Sequence, residues 1–238
     1  MKSNLKQLLT ILSKEVQLPR SRPFNIVLEG NIGSGKSTFL NYFQHNKSVS
    51  IDSEPLDSWC NCDGHNLLAL QYEDPSKWSA TLQSFVQLTM LQLHLKPVQQ
   101  PIRMIERSIY SARHCFIENM IREETMPSAS AAVLDKWFNF LTENIPLNID
   151  LIVYLRTSPE VVFQRMLSRS RVEESKIPFD YIRKLHDLHE EWLTRSEILL
   201  PAPVLIIDGN VERHYFEEEF LNHSREFKIS REKVSSIA

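Results

Sequence analysis

Five short apolar runs punctuate the chain: Phe24–Leu28, Val49–Ile51, Ile102–Ile105, Leu151–Leu155 and Val204–Ile207. Each is short and rich in Ile, Val and Leu, and helical stretches separate most of them. The alternation predicts parallel strands joined by crossover helices, an α/β fold around a five-stranded parallel sheet. Ligands of such sheets bind beyond the carboxyl ends of the strands. Polar residues follow every run there: Gly30–Ser37, then Glu54-Pro55, then Glu106-Arg107-Ser108, then Arg156, then Asp208-Gly209.

The helical patterns add to this. Ser76–Leu95 is apolar nearly all round, which predicts a largely buried helix. Gln83, Val86 and Met90 fall on one face of it, at i, i+3 and i+7. A buried glutamine amide needs partners. Gln83 either offers its carbonyl and NH₂ to a planar base edge or is satisfied by backbone within the core. In the first 22 residues Leu5, Leu8, Leu9, Ile11, Leu12 and Val16 make an apolar helical face, and Lys2, Lys6, Lys14, Arg20 and Arg22 outnumber Glu15. Residues 1–22 therefore read as a mitochondrial transit peptide or as an amphipathic helix packed on the domain. Residues 23–220 read as one domain and 221–238 as a polar tail.

The first strand runs into Gly30-Asn31-Ile32-Gly33-Ser34-Gly35-Lys36-Ser37, a full phosphate-loop pattern, and a helix-like stretch, Thr38 to Phe43, follows. The glycines allow successive N–H groups to turn toward one anion, and the helix start adds its positive dipole end. Lys36 can reach the β- and γ-phosphates of a nucleoside triphosphate, and Ser37 can ligate Mg²⁺. Glu106, at a strand end, stands either where the acid that helps hold Mg²⁺ is expected or in an ordinary strand-end salt bridge, with Arg107 available to pair with Glu54. Glu54 is either a base for an attacking hydroxyl or an ordinary turn glutamate. Arg165, Arg169 and Arg171 lie on and after a helix that Thr157 with Glu160, or Ser158 with Pro159, would start. Arg165 and Arg169 repel across one turn unless an anion joins them, so the segment reads as a phosphate-clamping lid or as a solvated helix end.

Composition narrows the choice. The net charge of −3 and a basic cluster confined to 165–171 argue against a nucleic-acid surface. No apolar run approaches a membrane span. The three cysteines, Cys60, Cys62 and Cys115, make no disulfide framework, which suits a reducing, intracellular setting: the cytoplasm or the mitochondrial matrix. Cys60-x-Cys62 lacks a second pair for zinc, and the apolar stripe Ile182, Leu185, Leu188 and Trp192 explains the helix bearing His186 and His189 without a metal. A guanine-specific Asn/Thr-Lys-x-Asp motif is absent, which disfavours a GTP-binding switch. A kinase of another small acceptor, such as a nucleoside monophosphate, is the main rival reading.

Taken in order, Glu29–Ser37, Glu54-Pro55 with Trp59, Gln83, Glu106-Arg107-Ser108 and Arg169–Glu174 resemble the animal deoxyribonucleoside kinases, over about residues 23–220. The resemblance implies a phosphate-loop kinase fold with an arginine lid, and ATP-dependent phosphorylation of a deoxynucleoside 5′-hydroxyl with Mg²⁺. It favours thymidine and deoxycytidine over purines, and a homodimer with neither nucleic-acid nor membrane partner. It makes Glu54 the base, supported by Arg107, with Lys36 and Ser37 to Thr38 at the donor phosphates and Ser37 and Glu106 at the metal. Gln83 would read the base, Phe116 stack on it, and Trp59, Val86, Met90 and Ala112 line its pocket. Tyr72 and Glu174 would hold the 3′-hydroxyl, Arg165, Arg169 and Arg171 the transferred phosphate, and the Asp208 loop the donor adenine. The chain departs from the family at Asp57-Ser58-Trp59-Cys60-Asn61, where Cys60 replaces an arginine.

Overall fold

A computed structural model of the chain describes residues 2–174, 177–195, 199–211, 214–216 and 218. The tail expected at 221–238 lies outside them. All five strands form: β1 Phe24–Glu29, β2 Val49–Asp52, β3 Ile102–Glu106, β4 Leu151–Arg156 and β5 Val204–Asp208. Each runs one residue beyond its apolar run, into Glu29, Asp52, Glu106, Arg156 or Asp208. The ladder is made by backbone groups, so a charged side chain does not end it: Glu29 pairs with Tyr154 and Arg156 with Asp208.

The sheet is parallel throughout, in the order β2-β3-β1-β4-β5. Both faces are covered, which is why the strands read as continuous apolar runs. On one face Val27, Ile105 and Ile152 meet a core built with Leu82, Val86, Met90, Leu185 and Trp192. On the other, Ile26, Leu28 and Met104 meet Phe39, Leu40 and the N-terminal helix α1, Lys2–Glu15. α1 buries Leu5, Leu8, Leu9 and Leu12 completely, and Asn4 Nδ2 donates to Ile206 O at 2.6 Å.

The helices then follow in chain order. α2 is Lys36–Asn41 and starts two residues earlier than the pattern suggests. Gly35, at φ 97°, turns the chain directly into it. α3 is Leu56–Cys60, α4 Leu67–Glu73 and α5 Pro75–Leu95, whose first turn is capped by the Asp74 carboxylate. α5 is not buried all round: Thr81, Ser84, Leu88 and Leu95 form an exposed stripe. α6, Ile109–Ser111, passes into a π-turn at Ala112–Ile117 and then α7, Glu118–Arg122. α8 is Ser128–Asn144, α9 Pro159–Arg169 and α10 Phe179–Glu190. α9 starts as the second alternative has it, with Ser158 at the N-cap and Pro159 in the first turn, but neither Thr157 nor Ser158 makes a side-chain cap hydrogen bond. The Thr157 hydroxyl turns inward to Ser34 O, and Asn210 Oδ1 takes the Ser158 N–H instead. Among the described residues no helix is long and apolar enough to cross a membrane.

One buried ion pair ties α5 to the strand leading to Glu54. Arg103 Nε donates to Asp52 Oδ2 at 2.7 Å, and the same guanidinium donates to the carbonyls of Leu93, His94 and Lys96 at the end of α5. Asp52 also meets the exposed Lys96 ammonium at 2.6 Å. A cation is favourable at a helix carboxyl end, and a carboxylate buried beside it needs that charge. Arg103→Met should destabilise the chain by about 3–5 kcal/mol in urea unfolding. Lys96→Ala, which removes only the exposed partner, should cost less than about 1 kcal/mol. Equal costs would mean that the buried pair does not hold this corner.

Candidate active site

Beyond the carboxyl ends of β1, β2 and β3 lies a cavity of about 420 Å³. The phosphate loop forms its floor at one end. Gly33 sits at φ 76°, and a Cβ there would meet Val162 O at 2.9 Å, so the loop and α9 approach as closely as only glycine allows. Asn31 anchors the loop across the molecule, donating from Nδ2 to Ile182 O at 2.8 Å. Lys36 Nζ is buried and donates to Gly30 O at 3.2 Å and Asn31 O at 2.9 Å. Burial first, and then the Arg107 charge, push its pKa down to about 8. The Ser37 hydroxyl donates to both Glu106 oxygens, at 2.9 and 3.1 Å. These hard oxygen donors, side by side at the phosphate loop, fit Mg²⁺.

Glu54 and Arg107 meet at the centre. Arg107 Nε stands 3.0 Å from Glu54 Oε1, and its Nη1 donates to Gly30 O at 2.8 Å. Arg107 is at φ 64°, a left-handed conformation that turns its side chain back over the strand ends. Its guanidinium also lies 4.8 Å from the centre of the Phe116 ring. Burial raises the Glu54 pKa, and Arg107 opposes that rise. A carboxylate so placed accepts a proton more readily than one in water.

The far end of the cavity is lined mostly by apolar side chains. Trp59 lines it, held by a 2.9 Å hydrogen bond from its indole Nε1 to Thr89 Oγ1. Val86, Met90, Ala112 and Phe116 line it too. The last two lie on the π-turn, not on an α-helix, and still face one space because that turn takes more residues. Gln83 is buried, lines the cavity and leaves Oε1 without a partner, which does not fit a core glutamine satisfied by backbone.

Tyr72 and Glu174 line the same space. The Tyr72 phenol is pushed well up, by burial first and then by nearby charge that includes Glu174. Glu174 accepts from Arg169 at 2.5 Å and from Arg171 at 2.8 Å. The charge of Arg169 and Arg171 is therefore partly offset within the chain. Arg165 donates instead to the carbonyls of Ser34, Gly209 and Val211. All three arginines border the cavity, whereas Gly30, Asn31, Ser34 and Asp208 do not. The Asp208 carboxylate instead holds the Asn210 N–H at 2.9 Å.

Other cavity residues escaped the sequence reading. Gln71 on α4 and Tyr181 on α10 carry no motif signal, and Ser108 stands in the sequence only within the Glu106-Arg107-Ser108 triplet. Glu29, fully buried behind the cavity wall beside Arg107, opens the Glu29–Ser37 motif, but no role follows for it from the sequence. Among the described residues no three His, Cys, Asp or Glu side chains gather as a metal site. His189 stacks on Tyr154 and keeps Nδ1 within 2.6 Å of Leu185 O.

Comparison with known proteins agrees with this geometry. The family model described as deoxynucleoside kinase matches residues 26–231. The chain is 46% identical over 193 residues to mitochondrial thymidine kinase 2 of Homo sapiens, covering 81% of this chain and 72% of that one. It is 33% identical to deoxycytidine kinase 1 of Xenopus laevis, covering 89% of each. It is 31% identical to mitochondrial deoxyguanosine kinase of Xenopus laevis, covering 89% of this chain and 86% of that one. A phosphate loop, a buried Glu54–Arg107 pair and a largely apolar pocket thus coincide with matches along most of the chain, and the chain belongs to the deoxynucleoside kinase family.

Proposed function

We propose that the chain transfers the γ-phosphoryl group of ATP to the 5′-hydroxyl of a deoxynucleoside, with thymidine and deoxycytidine preferred and purines accepted more weakly. The observation that carries this reading is the Glu54–Arg107 pair, standing between a phosphate loop and an apolar pocket in which Gln83 keeps a free acceptor. The base lies between Phe116 and the Trp59 wall, with Gln83 on its edge. Tyr72 and Glu174 take the 3′-hydroxyl, which turns the 5′-hydroxyl toward Glu54. Glu54 accepts its proton as the oxygen attacks phosphorus, and Arg107 steadies that carboxylate and the growing charge. Lys36 and the loop amides hold the donor phosphates, and Arg165, Arg169 and Arg171 close on them. Mg²⁺ bound by Ser37 and Glu106 would neutralise charge on the phosphate oxygens. The Asp208 loop borders the donor base. Residues 23–220 make up the kinase unit, with α1 added on its far face.

The chain works as a homodimer. Val133, Trp137 and Phe140 are more than half exposed on one face of α8, and the exposed stripe of α5 carries Leu88 and Leu95. Two copies paired through these helices would bury both faces twice.

Glu54→Gln keeps the shape and removes the basic carboxylate. It should lower kcat by about 10²–10⁴-fold with thymidine affinity retained. In the unsubstituted enzyme the acid limb of the rate profile should lie above the usual glutamate pKa of about 4.3, because burial raises Glu54. Near-normal turnover in the variant would overturn the assignment.

ADP release measured with the four deoxynucleosides, a nucleoside monophosphate and no acceptor should rank thymidine and deoxycytidine first. Ala112, small beside the Phe116 ring, leaves room for slower turnover of purines. A clear preference for both purines, or for the monophosphate, would refute the pocket reading.

Light scattering at micromolar concentration should give twice the monomer mass, and Trp137→Glu should shift it toward the monomer. A clean monomer before substitution would exclude the paired helices.

A further inference from the structure

Glu29 is the one fully buried carboxylate at the site to which the reaction above gives no task. It ends β1, on the same face as Val27, and none of it reaches solvent. Its Oε1 accepts a 2.6 Å hydrogen bond from the Ser108 hydroxyl, and its Oε2 has no partner. Ser108 starts α6: its Oγ accepts the N–H groups of Tyr110 at 3.2 Å and Ser111 at 3.5 Å. The residue before it is Arg107.

The contacts on either side of Glu29 hold the same corner. Leu28 O accepts the Arg107 backbone N–H at 3.0 Å, and Gly30 O accepts Arg107 Nη1 at 2.8 Å. Three successive residues of one strand end thus grip the Arg107-Ser108 turn, and Glu29 is the only one to do so with its side chain. Arg107 is left-handed there, a conformation a non-glycine residue keeps only when its surroundings impose it. A buried carboxylate is a costly way to fill space, since an apolar side chain of similar volume would suit the fold at least as well.

We propose that Glu29 is a positioning residue for phosphoryl transfer: through the Ser108 hydroxyl it fixes the turn from which the Arg107 guanidinium reaches Glu54. This rests on the kinase reading above. The Glu29 carboxyl faces the Arg107 and Lys36 cations, the hydroxyls of Ser108 and Ser111, and the Cys115 thiol. Burial, only partly offset by these groups, pushes its pKa up to about 7. It is therefore neutral in much of the population near neutral pH, and a neutral acceptor of the same shape can serve in its place.

The test compares Glu29→Leu, Ser108→Ala, the double variant and Glu29→Gln. ADP release with thymidine is measured beside thymidine affinity by calorimetry without donor. Glu29→Leu and Ser108→Ala should each lower kcat about 10- to 100-fold, as misplacement of a reacting group does. Thymidine affinity should stay within about threefold. The double variant should be no slower than the slower single one, because both act through one hydrogen bond. Glu29→Gln keeps the acceptor oxygen and should retain turnover within about threefold.

Ser108→Ala removes a single oxygen, so it decides the matter even if Glu29→Leu does not fold. Normal turnover in Ser108→Ala would overturn the proposal, and so would losses that multiply in the double variant. Nucleoside affinity falling in step with kcat would mean a general structural role and overturn it too. A Gln variant as slow as Leu would make charge the agent, against this proposal. An unsubstituted chain that released no ADP with any acceptor would overturn the kinase reading instead, and this one with it.

Discussion

The site depends on keeping charge out of water. Lys36, Glu106, Arg107 and Glu29 are buried at the strand ends, and the Glu54 side chain is only 13% exposed. None of these would be stable there alone, because an isolated ion in such a place gives up more hydration than packing returns. Together they compensate one another: Arg107 against Glu54 and the Gly30 carbonyl, Lys36 against two carbonyls of the loop, Glu106 against the Ser37 hydroxyl. The phosphate loop and this cluster of charged groups therefore hold one another in place. The same dryness strengthens every interaction the site makes with a reacting phosphate.

Topology explains why these groups can gather. With β1 central and β3 beside it, the residues following both strands emerge next to each other, and β2 brings Glu54 in from the edge. α5 passes across the face that β1 and β3 share, and the Asp52–Arg103 pair fixes its end against the sheet. A pocket for a flat apolar group thus opens beside the anion site, with the ionic pair between them.

Much of this was legible in the sequence. The strands announced themselves because both sheet faces are covered, and the phosphate loop because its spacing leaves few other uses. The last residue of each strand was missed because ladder pairing ignores side-chain charge. Glu54 and Gln83 stayed ambiguous from spacing alone; the free Gln83 oxygen is a property of the packed state. The π-turn at Ala112–Ile117 gives no periodic signal, since one widened turn is shorter than any window that detects a period. Arginine partners were hidden for a similar reason. Arg165 and Arg169 share a helical face, yet one reaches backbone carbonyls and the other Glu174, and only tertiary structure separates them.

That separation has a mechanical side. Arg165 is moored to the loops carrying Ser34, Gly209 and Val211, so the helix cannot swing as a rigid rod about its own start. Any rotation of the arginine segment must pivot beyond that mooring. The chain offers such a point at Ser170, whose φ of 52° breaks the helix one residue after Arg169. Beyond it Arg171 and Glu174 are paired with each other, and Glu174 also reaches back to Arg169. Whatever shifts beyond Ser170 shifts positive and negative charge together, so the segment offers an approaching anion less net charge than its arginines alone would.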